Sequence, residues 1–443
     1  MSTDARAMKS IAHPAPQRAA TSAAQVTGAL REATLARLSL AVVALHVVDD
    51  NFLQPEPGTS PSSHLVSGLV PLTPLMAAAT AYARLRPGLR ATWTLLAGFF
   101  GVLAGTEAVY YTGAVGASGD DYTGLLSIPA GLLLLGLGAL TLWTSRKSTA
   151  RLWWRYGRRL LISAGALVLS AQVLFPTALA YVVTHTARAE VPAPSLGAAH
   201  KDVVFRTSDG LRLQGWFVPS RNGAAVIAFP GRSGPQKHAR MLVRHGYGVL
   251  LFDRRGEGAS EGDSNLFGWG GERDIDAAVE FLRSRPDVER GRIGGIGFSV
   301  GGELMLQAAA QSDGLAAVVS DGAGTRSLFE DLDDIPSPEK WIALPFLAAK
   351  SGAVALFSNS APPPELTELV PRIAPTPLLL IWAPSSGGEN MNPDYYRLAG
   401  EPKAIWAIPE ATHIQGISAR PKEYERRVVD FFDRALLSKG VGR

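Results

Sequence analysis

The stretch Gly297-Phe298-Ser299-Val300-Gly301 decides the fold of this chain. It follows the β-like run Gly291-Arg-Ile-Gly-Gly-Ile-Gly and opens into the helix-like Gly302-Glu-Leu-Met-Leu-Gln-Ala-Ala-Ala. The spacing predicts a strand, a sharp turn and a helix, with a serine at the apex. Side chains two positions to either side of so tight a turn would collide with the adjoining strand and helix. Glycines remove the collision and leave the serine hydroxyl exposed at the end of a sheet. A glycine-rich turn around an ordinary serine is the competing reading, and the surrounding chain decides between the two.

A nucleophilic serine needs a base, an acid that orients the base, and donors for an oxyanion, in the order serine, acid, histidine. After Ser299 the only histidine is His413, in Pro409-Glu-Ala-Thr-His-Ile-Gln-Gly, between the β-like run Lys403-Ala-Ile-Trp-Ala-Ile and an amphipathic segment from Pro421 to Leu437. The acid should follow the strand Pro377-Leu-Leu-Leu-Ile-Trp. The loop there reads Ala383-Pro-Ser-Ser-Gly-Gly-Glu-Asn-Met-Asn-Pro-Asp. Glu389 is its nearest carboxylate, and the Gly-Gly pair before it lets a longer side chain reach back. Asp321, at the end of the strand Leu315-Ala-Ala-Val-Val-Ser, is the alternative acid, and Asp394, third in order, suits the start of a helix. For the oxyanion, the apolar strand Ala224-Ala-Val-Ile-Ala-Phe runs into Pro230-Gly231, so the backbone N–H groups of Arg232 and Val300 are the expected donors.

These residues resemble the α/β-hydrolase superfamily, in its serine-aminopeptidase-like (S33-like) and dienelactone-hydrolase-like branches. The resemblance covers Lys201 to about Leu437 and includes Phe252-Asp-Arg-Arg-Gly-Glu-Gly-Ala-Ser-Glu-Gly, similar to the family's D-x-R-G-x-G-x-S-x-G loop. In that loop Asp253 precedes the nucleophile, and the resemblance makes it part of a structural turn. The chain departs from the family pattern in two places. Pro230 stands where a histidine often precedes the glycine, and the usual aspartate position after the penultimate strand holds Ser386 or its neighbours. The resemblance implies an α/β fold, doubly wound around a mostly parallel sheet, with a helical cap. It also implies a serine hydrolase acting on an ester, amide or thioester through an acyl-enzyme, with no metal or organic cofactor.

The 443 residues suffice for at least two domains. Charged residues make up 19%, below the ordinary level of about 25%, and the shortfall falls on the first half. There is no cysteine, hence no disulfide framework and no thiolate metal site. The net charge of +4 comes with arginines at the ends of apolar segments, which fits membrane topology better than nucleic-acid binding.

Five apolar stretches of spanning length precede the hydrolase-like half: Thr34–Leu53, His64–Leu85, Ala91–Thr112, Tyr122–Trp143 and Leu160–Thr184. A bilayer core of about 30 Å takes roughly 20 residues as helix. The first ends in His46, Asp49 and Asp50, and interfacial solvation accounts for these acids and for Glu107. The tail carries Arg6, Lys9, Arg18 and Arg31; the connection Gln54–Ser63 carries no lysine or arginine. The next has Arg84, Arg86 and Arg90, the third none, and the fourth Arg146, Lys147, Arg151, Arg155, Arg158 and Arg159. This alternation predicts a cytoplasmic tail, an anchor in the cytoplasmic membrane and, after an odd number of spans, an extracytoplasmic hydrolase domain.

The expected organisation is a disordered tail (1–30), a transmembrane helical domain (31–186), a linker (187–200) and the α/β domain (201–443) with a cap insert at 322–375. The insert holds Trp341-Ile-Ala-Leu-Pro-Phe-Leu-Ala-Ala-Lys-Ser-Gly-Ala-Val-Ala-Leu-Phe. Pro345 and Lys350 argue against a sixth span there, and a helical cap is expected instead, packed on the sheet as core or roofing the site with its apolar face. The partners implied are a small-molecule or lipid-like acyl substrate and the bilayer, not nucleic acid. The contrasting reading is a membrane receptor, transporter or scaffold whose hydrolase-like domain only binds.

Overall fold

The structure, a computed structural model, describes residues 16–117, 119–144, 152–188 and 190–438. The first half of the expected tail (residues 1–15), with Arg146, Lys147 and Arg151 of the fourth connection, lies outside these residues. From Pro16 onward the expected tail is helical instead of irregular, as its alanine-rich composition favours.

The chain divides into two compact units, one formed by Met1–Asp49, Pro71–Thr112 and Ala117–Thr149, the other by Asp50–Val70, Gly113–Gly116 and Ala150–Arg443. The first is helical: α1 (Pro16–Val48), most of α2 (Leu65–Ala81), α3 (Pro87–Val115) and α4 (Asp121–Thr144). Small residues let α3 and α4 meet backbone to backbone. A Cβ on Gly131 would lie 2.8 Å from the Gly98 carbonyl oxygen, the close approach that holds apolar helices together in lipid. Asp49 is buried and accepts a 2.8 Å hydrogen bond from Thr123 on α4, which corrects its expected interfacial solvation.

In the second unit α5 (Leu152–Leu169) runs through a π-turn at Ser170–Leu174 into α6 (Phe175–Thr184). Pro176 has no N–H to give, so the helical ladder is re-registered just before it. Among the described residues, the linker after α6 has no regular structure up to β1. Eight strands follow: β1 (Lys201–Arg206), β2 (Arg212–Val218), β3 (Ala225–Phe229), β4 (Gly248–Phe252), β5 (Ile293–Phe298), β6 (Ala317–Asp321), β7 (Leu378–Trp382) and β8 (Lys403–Ala407). Their order is β1-β2-β4-β3-β5-β6-β7-β8, with only the β1–β2 and β2–β4 pairings antiparallel. The α/β fold is therefore as expected. Ile227 and Phe229 of β3 enter one core and Val226 and Ala228 the other. A strand covered on both faces must be apolar throughout.

Helices α7 (Gln236–Arg244), α8 (Glu272–Arg283) and α9 (Val300–Gln311) alternate with the strands. The insert after β6 supplies α10 (Leu328–Asp333), α11 (Glu339–Phe357) and α12 (Leu366–Leu369). Then come α13 (Asn392–Leu398), α14 (Gly416–Ala419) and α15 (Pro421–Phe432).

Two expectations about the apolar helices change. Among the described residues five helices are long and apolar enough to cross a membrane: Pro61–Arg84, Pro87–Ala114, Asp121–Thr144, Tyr156–Thr184 and Glu339–Phe357. The first stretch, Thr34–Leu53, is not among them, and Arg31, Glu32, Arg37, Asp49 and Asp50 crowd its ends. The cap helix α11 is among them by length and composition, since Pro345 does not break it; its Lys350 donates to Asp331 at 2.7 Å. The structure also divides before the boundary at 186. Residues from Ala150 onward join the hydrolase body, since Ala353 and Val354 of α11 pack with Ala180 of α6.

Candidate active site

Strand β5 ends at Phe298, α9 begins at Val300, and Ser299 between them has φ 53° and ψ −125°. A non-glycine residue holds such a conformation only when its surroundings force it. The flanking glycines make it possible. A Cβ on Gly297 would sit 2.1 Å from the Gly301 carbonyl oxygen, and one on Gly301 would sit 2.6 Å from that of Phe229.

The structure brings the three residues of the expected relay together. His413 Nε2 lies 2.8 Å from Ser299 Oγ, and its Nδ1 lies 2.6 Å from Glu389 Oε1. Glu389 Oε2 accepts the Ala383 N–H at 2.7 Å, so both carboxylate oxygens are engaged and the side chain is fully buried. The loop after β7 thus turns the Gly387-Gly388 pair to bring a glutamate where the shorter aspartate is usual. The Glu389 hydrogen bond raises the His413 pKa above its ordinary value, with burial opposing it. A neutral imidazole so held donates from Nδ1 and accepts at Nε2, the tautomer a general base for Ser299 requires.

Asp321, the alternative acid, is engaged elsewhere. Its Oδ2 accepts the Tyr424 hydroxyl at 2.6 Å, and burial pushes its pKa up to about 7. Asp394 opens α13 and pairs with Arg397.

The oxyanion assignment changes in one half. The Arg232 N–H donates to Asp253 Oδ1 at 3.1 Å, and the Arg232 guanidinium binds the same carboxylate through Nε at 2.9 Å. Asp253 also receives the Ala259 N–H at 3.2 Å, consistent with a structural turn. Arg232 therefore has no free backbone donor in this arrangement. The Val300 N–H opens α9 and has no acceptor within the helix.

One group near the site has no counterpart among the expected residues. Glu303, one turn beyond Ser299, is partly buried with its Oε1 accepting the Gly324 N–H at 3.1 Å, and desolvation pushes its pKa up to about 7. It ties the start of α9 to the loop after β6, where a Cβ on Gly322 would lie 3.3 Å from the His413 ring. A lone acid in the small-residue run Gly301-Gly-Glu-Leu was the available signal. A polar cavity of about 530 Å³ lined by Asp209, Arg255, Asp263, Glu272 and Gln307 contains none of the three relay residues.

Residues 167–362 match the X-Pro dipeptidyl-peptidase (S15 family). Over 255 residues the chain is 31% identical to the uncharacterized protein YfhR of Escherichia coli K12, covering 53% of this chain and 81% of that one. It is 36% identical over 154 residues to the uncharacterized protein Rv2307c of Mycobacterium tuberculosis H37Rv, covering 32% and 52%. The solved esterase Pf2001 of Pyrococcus furiosus aligns with a TM-score of 0.45 at 22% identity, covering 56% of this chain and 100% of that one.

Proposed function

The chain belongs to the α/β-hydrolase superfamily, and we propose that it is a membrane-anchored serine hydrolase that cleaves an ester, amide or thioester through an acyl-enzyme. The observation that carries this reading is the unbroken relay Ser299 Oγ–His413–Glu389. As Ser299 Oγ attacks the carbonyl carbon, its proton passes to His413 Nε2 and the carbonyl oxygen takes the negative charge beside the Val300 N–H. Glu389 stabilises the imidazolium and holds its tautomer. His413 then protonates the leaving alcohol, amine or thiol as the carbon–heteroatom bond breaks. Water, deprotonated by the same nitrogen, hydrolyses the acyl-serine and returns the proton to Ser299. The Arg232 N–H joins the oxyanion site in this scheme only by leaving Asp253.

The anchor is assigned to the apolar helices, with the tail cytoplasmic and, counting Thr34–Leu53 as a span beside the four qualifying helices that precede the hydrolase domain, that domain on the other side of the cytoplasmic membrane. The alternation of basic connections supports that orientation. A fluorophosphonate probe tests the chemistry: it should label the wild-type chain and leave Ser299→Ala unlabelled. Equal labelling of both, or full esterase activity in Ser299→Ala, would sink the proposal.

A further inference from the structure

Helix α11 has the reverse of the pattern expected for a helix on a water-facing surface. Beyond Glu339 at its start, the residues it exposes, Trp341, Ile342, Pro345, Ala348 and Gly352, recur at helical spacing and include no charge. A helix bordering water shows its polar residues there. Trp341 and Ile342 are 67% and 68% exposed, and Phe329 on α10 is 62% exposed. The one charged residue between Trp341 and Phe357, Lys350, points inward to Asp331 and lies over the Phe267 ring.

The other side of α11 packs along α6. Phe346 faces Phe175 with ring centroids 6.1 Å apart, and Phe357 meets Tyr181 edge-on at 5.1 Å. Upstream on α5, Leu160, Leu161 and Leu167 are each more than 70% exposed. An uncovered apolar surface therefore continues from the anchoring helix onto the cap. The cap in turn reaches the nucleophile's neighbourhood. Phe267, under Lys350, precedes Gly268, where a Cβ would lie 3.0 Å from Val300 Cγ2.

We infer that the outer face of α11, with Phe329, is seated in the acyl region of the bilayer that holds α5 and α6, and that the substrate is an acyl lipid reaching Ser299 from that bilayer. The inference rests on the serine-hydrolase and membrane readings above. Continuity with α5–α6 selects lipid as the occupant. A second copy of the chain is the competing occupant.

The chain has no cysteine, so single cysteines carrying an environment-sensitive fluorophore report each site cleanly. The full chain is reconstituted in phosphatidylcholine–phosphatidylglycerol vesicles containing nitroxide-labelled acyl chains, with Ile342→Cys on the cap, Ile162→Cys on α5 and Glu280→Cys on α8. Quenching at Ile342→Cys and Ile162→Cys but not Glu280→Cys is expected. Quenching at Ile162→Cys alone overturns the inference and keeps the membrane anchor; quenching at neither removes the anchor as well. A fluorophore at 342 shielded from aqueous iodide, unquenched by the nitroxide lipid and exposed again on dilution into excess lipid would mean a second copy, which also overturns it.

For the substrate, the Trp341→Ser/Ile342→Ser double variant should turn over vesicle-embedded acylglycerols and phospholipids about tenfold more slowly, with p-nitrophenyl acetate hydrolysis unchanged. Equal loss on both substrates, no loss on either, or a wild-type chain that labels with fluorophosphonate yet cleaves no vesicle lipid overturns the lipid route. A wild-type chain that neither labels nor hydrolyses p-nitrophenyl acetate overturns the serine-hydrolase reading instead.

Discussion

Tyr424 donates its hydroxyl to Asp321 Oδ2 at 2.6 Å, and both side chains are buried. Asp321 ends β6 one residue before Gly322, where a Cβ would lie 3.3 Å from the His413 ring. Two carboxyls therefore stand near one histidine, and their partners separate their roles. Glu389 meets the imidazole, while Asp321 meets a phenol.

Glu389→Gln should lower kcat by about 10³- to 10⁴-fold, because an amide can hold the wrong imidazole tautomer. Asp321→Asn should keep kcat within about tenfold, since its oxygen can still accept from Tyr424. Steady-state kinetics on a p-nitrophenyl ester decide it. A larger loss in Asp321→Asn would move the acid role to β6.

The raised His413 value has a sign that rates can read. A protonated imidazole cannot accept the serine proton, so the acid limb of kcat/KM should have its midpoint above about pH 6.5, the unperturbed histidine value. Glu389→Gln should move that limb to lower pH, in the activity that remains. An unchanged midpoint would mean the limb reports another group.

Asp321 predicts a stability profile. Its folded value of about 7 lies above the ordinary carboxylate value of 3.8, so the folded state binds the proton more tightly. The stability this group contributes is complete below the unfolded value and is lost as pH rises through about 7. Asp321→Asn, which cannot ionise, should therefore gain stability relative to wild type on going from pH 5 to pH 8 in urea titrations. No such relative gain would contradict a protonated Asp321.

Gly297→Ala should disrupt the turn that holds Ser299, because its Cβ would lie 2.1 Å from the Gly301 oxygen. A stability loss of about 1–3 kcal/mol together with lost fluorophosphonate labelling is expected. Normal labelling would show that the turn can shift without harm.

The orientation can be read with cysteines at Ser10 in the tail and Lys422 on α15. On intact cells a membrane-impermeant thiol reagent should label the second and spare the first. Labelling at Ser10, or protection at Lys422 in a folded chain, would reverse the orientation or change the span count.

The reading around Ser299 succeeded because the turn is local. Gly297 and Gly301 are spaced by the collision they avoid, and chain order alone directs attention to His413 and to the only glutamate in the loop after β7. The Arg232 donor misled for the opposite reason. Its N–H is occupied by Asp253, which follows a different strand, and sequence cannot tell which of two plausible acceptors is near. The cap was legible as helix but not in its contacts. Pro345 and Lys350 argued against a sixth span, and nothing local in the sequence records that Lys350 pairs with Asp331.

The sequence by itself determined the strand–turn–helix at the nucleophile, the parallel-sheet class, the order of serine, acid and base, and four of the apolar helices, because each depends on side-chain chemistry within a few residues or on composition over one helix. Only the tertiary structure decided which carboxylate meets His413, which backbone donor is already taken, and that α11 lies along α6. Those are contacts between segments far apart in the chain, and local sterics and hydropathy carry no record of which distant group fills a given bond.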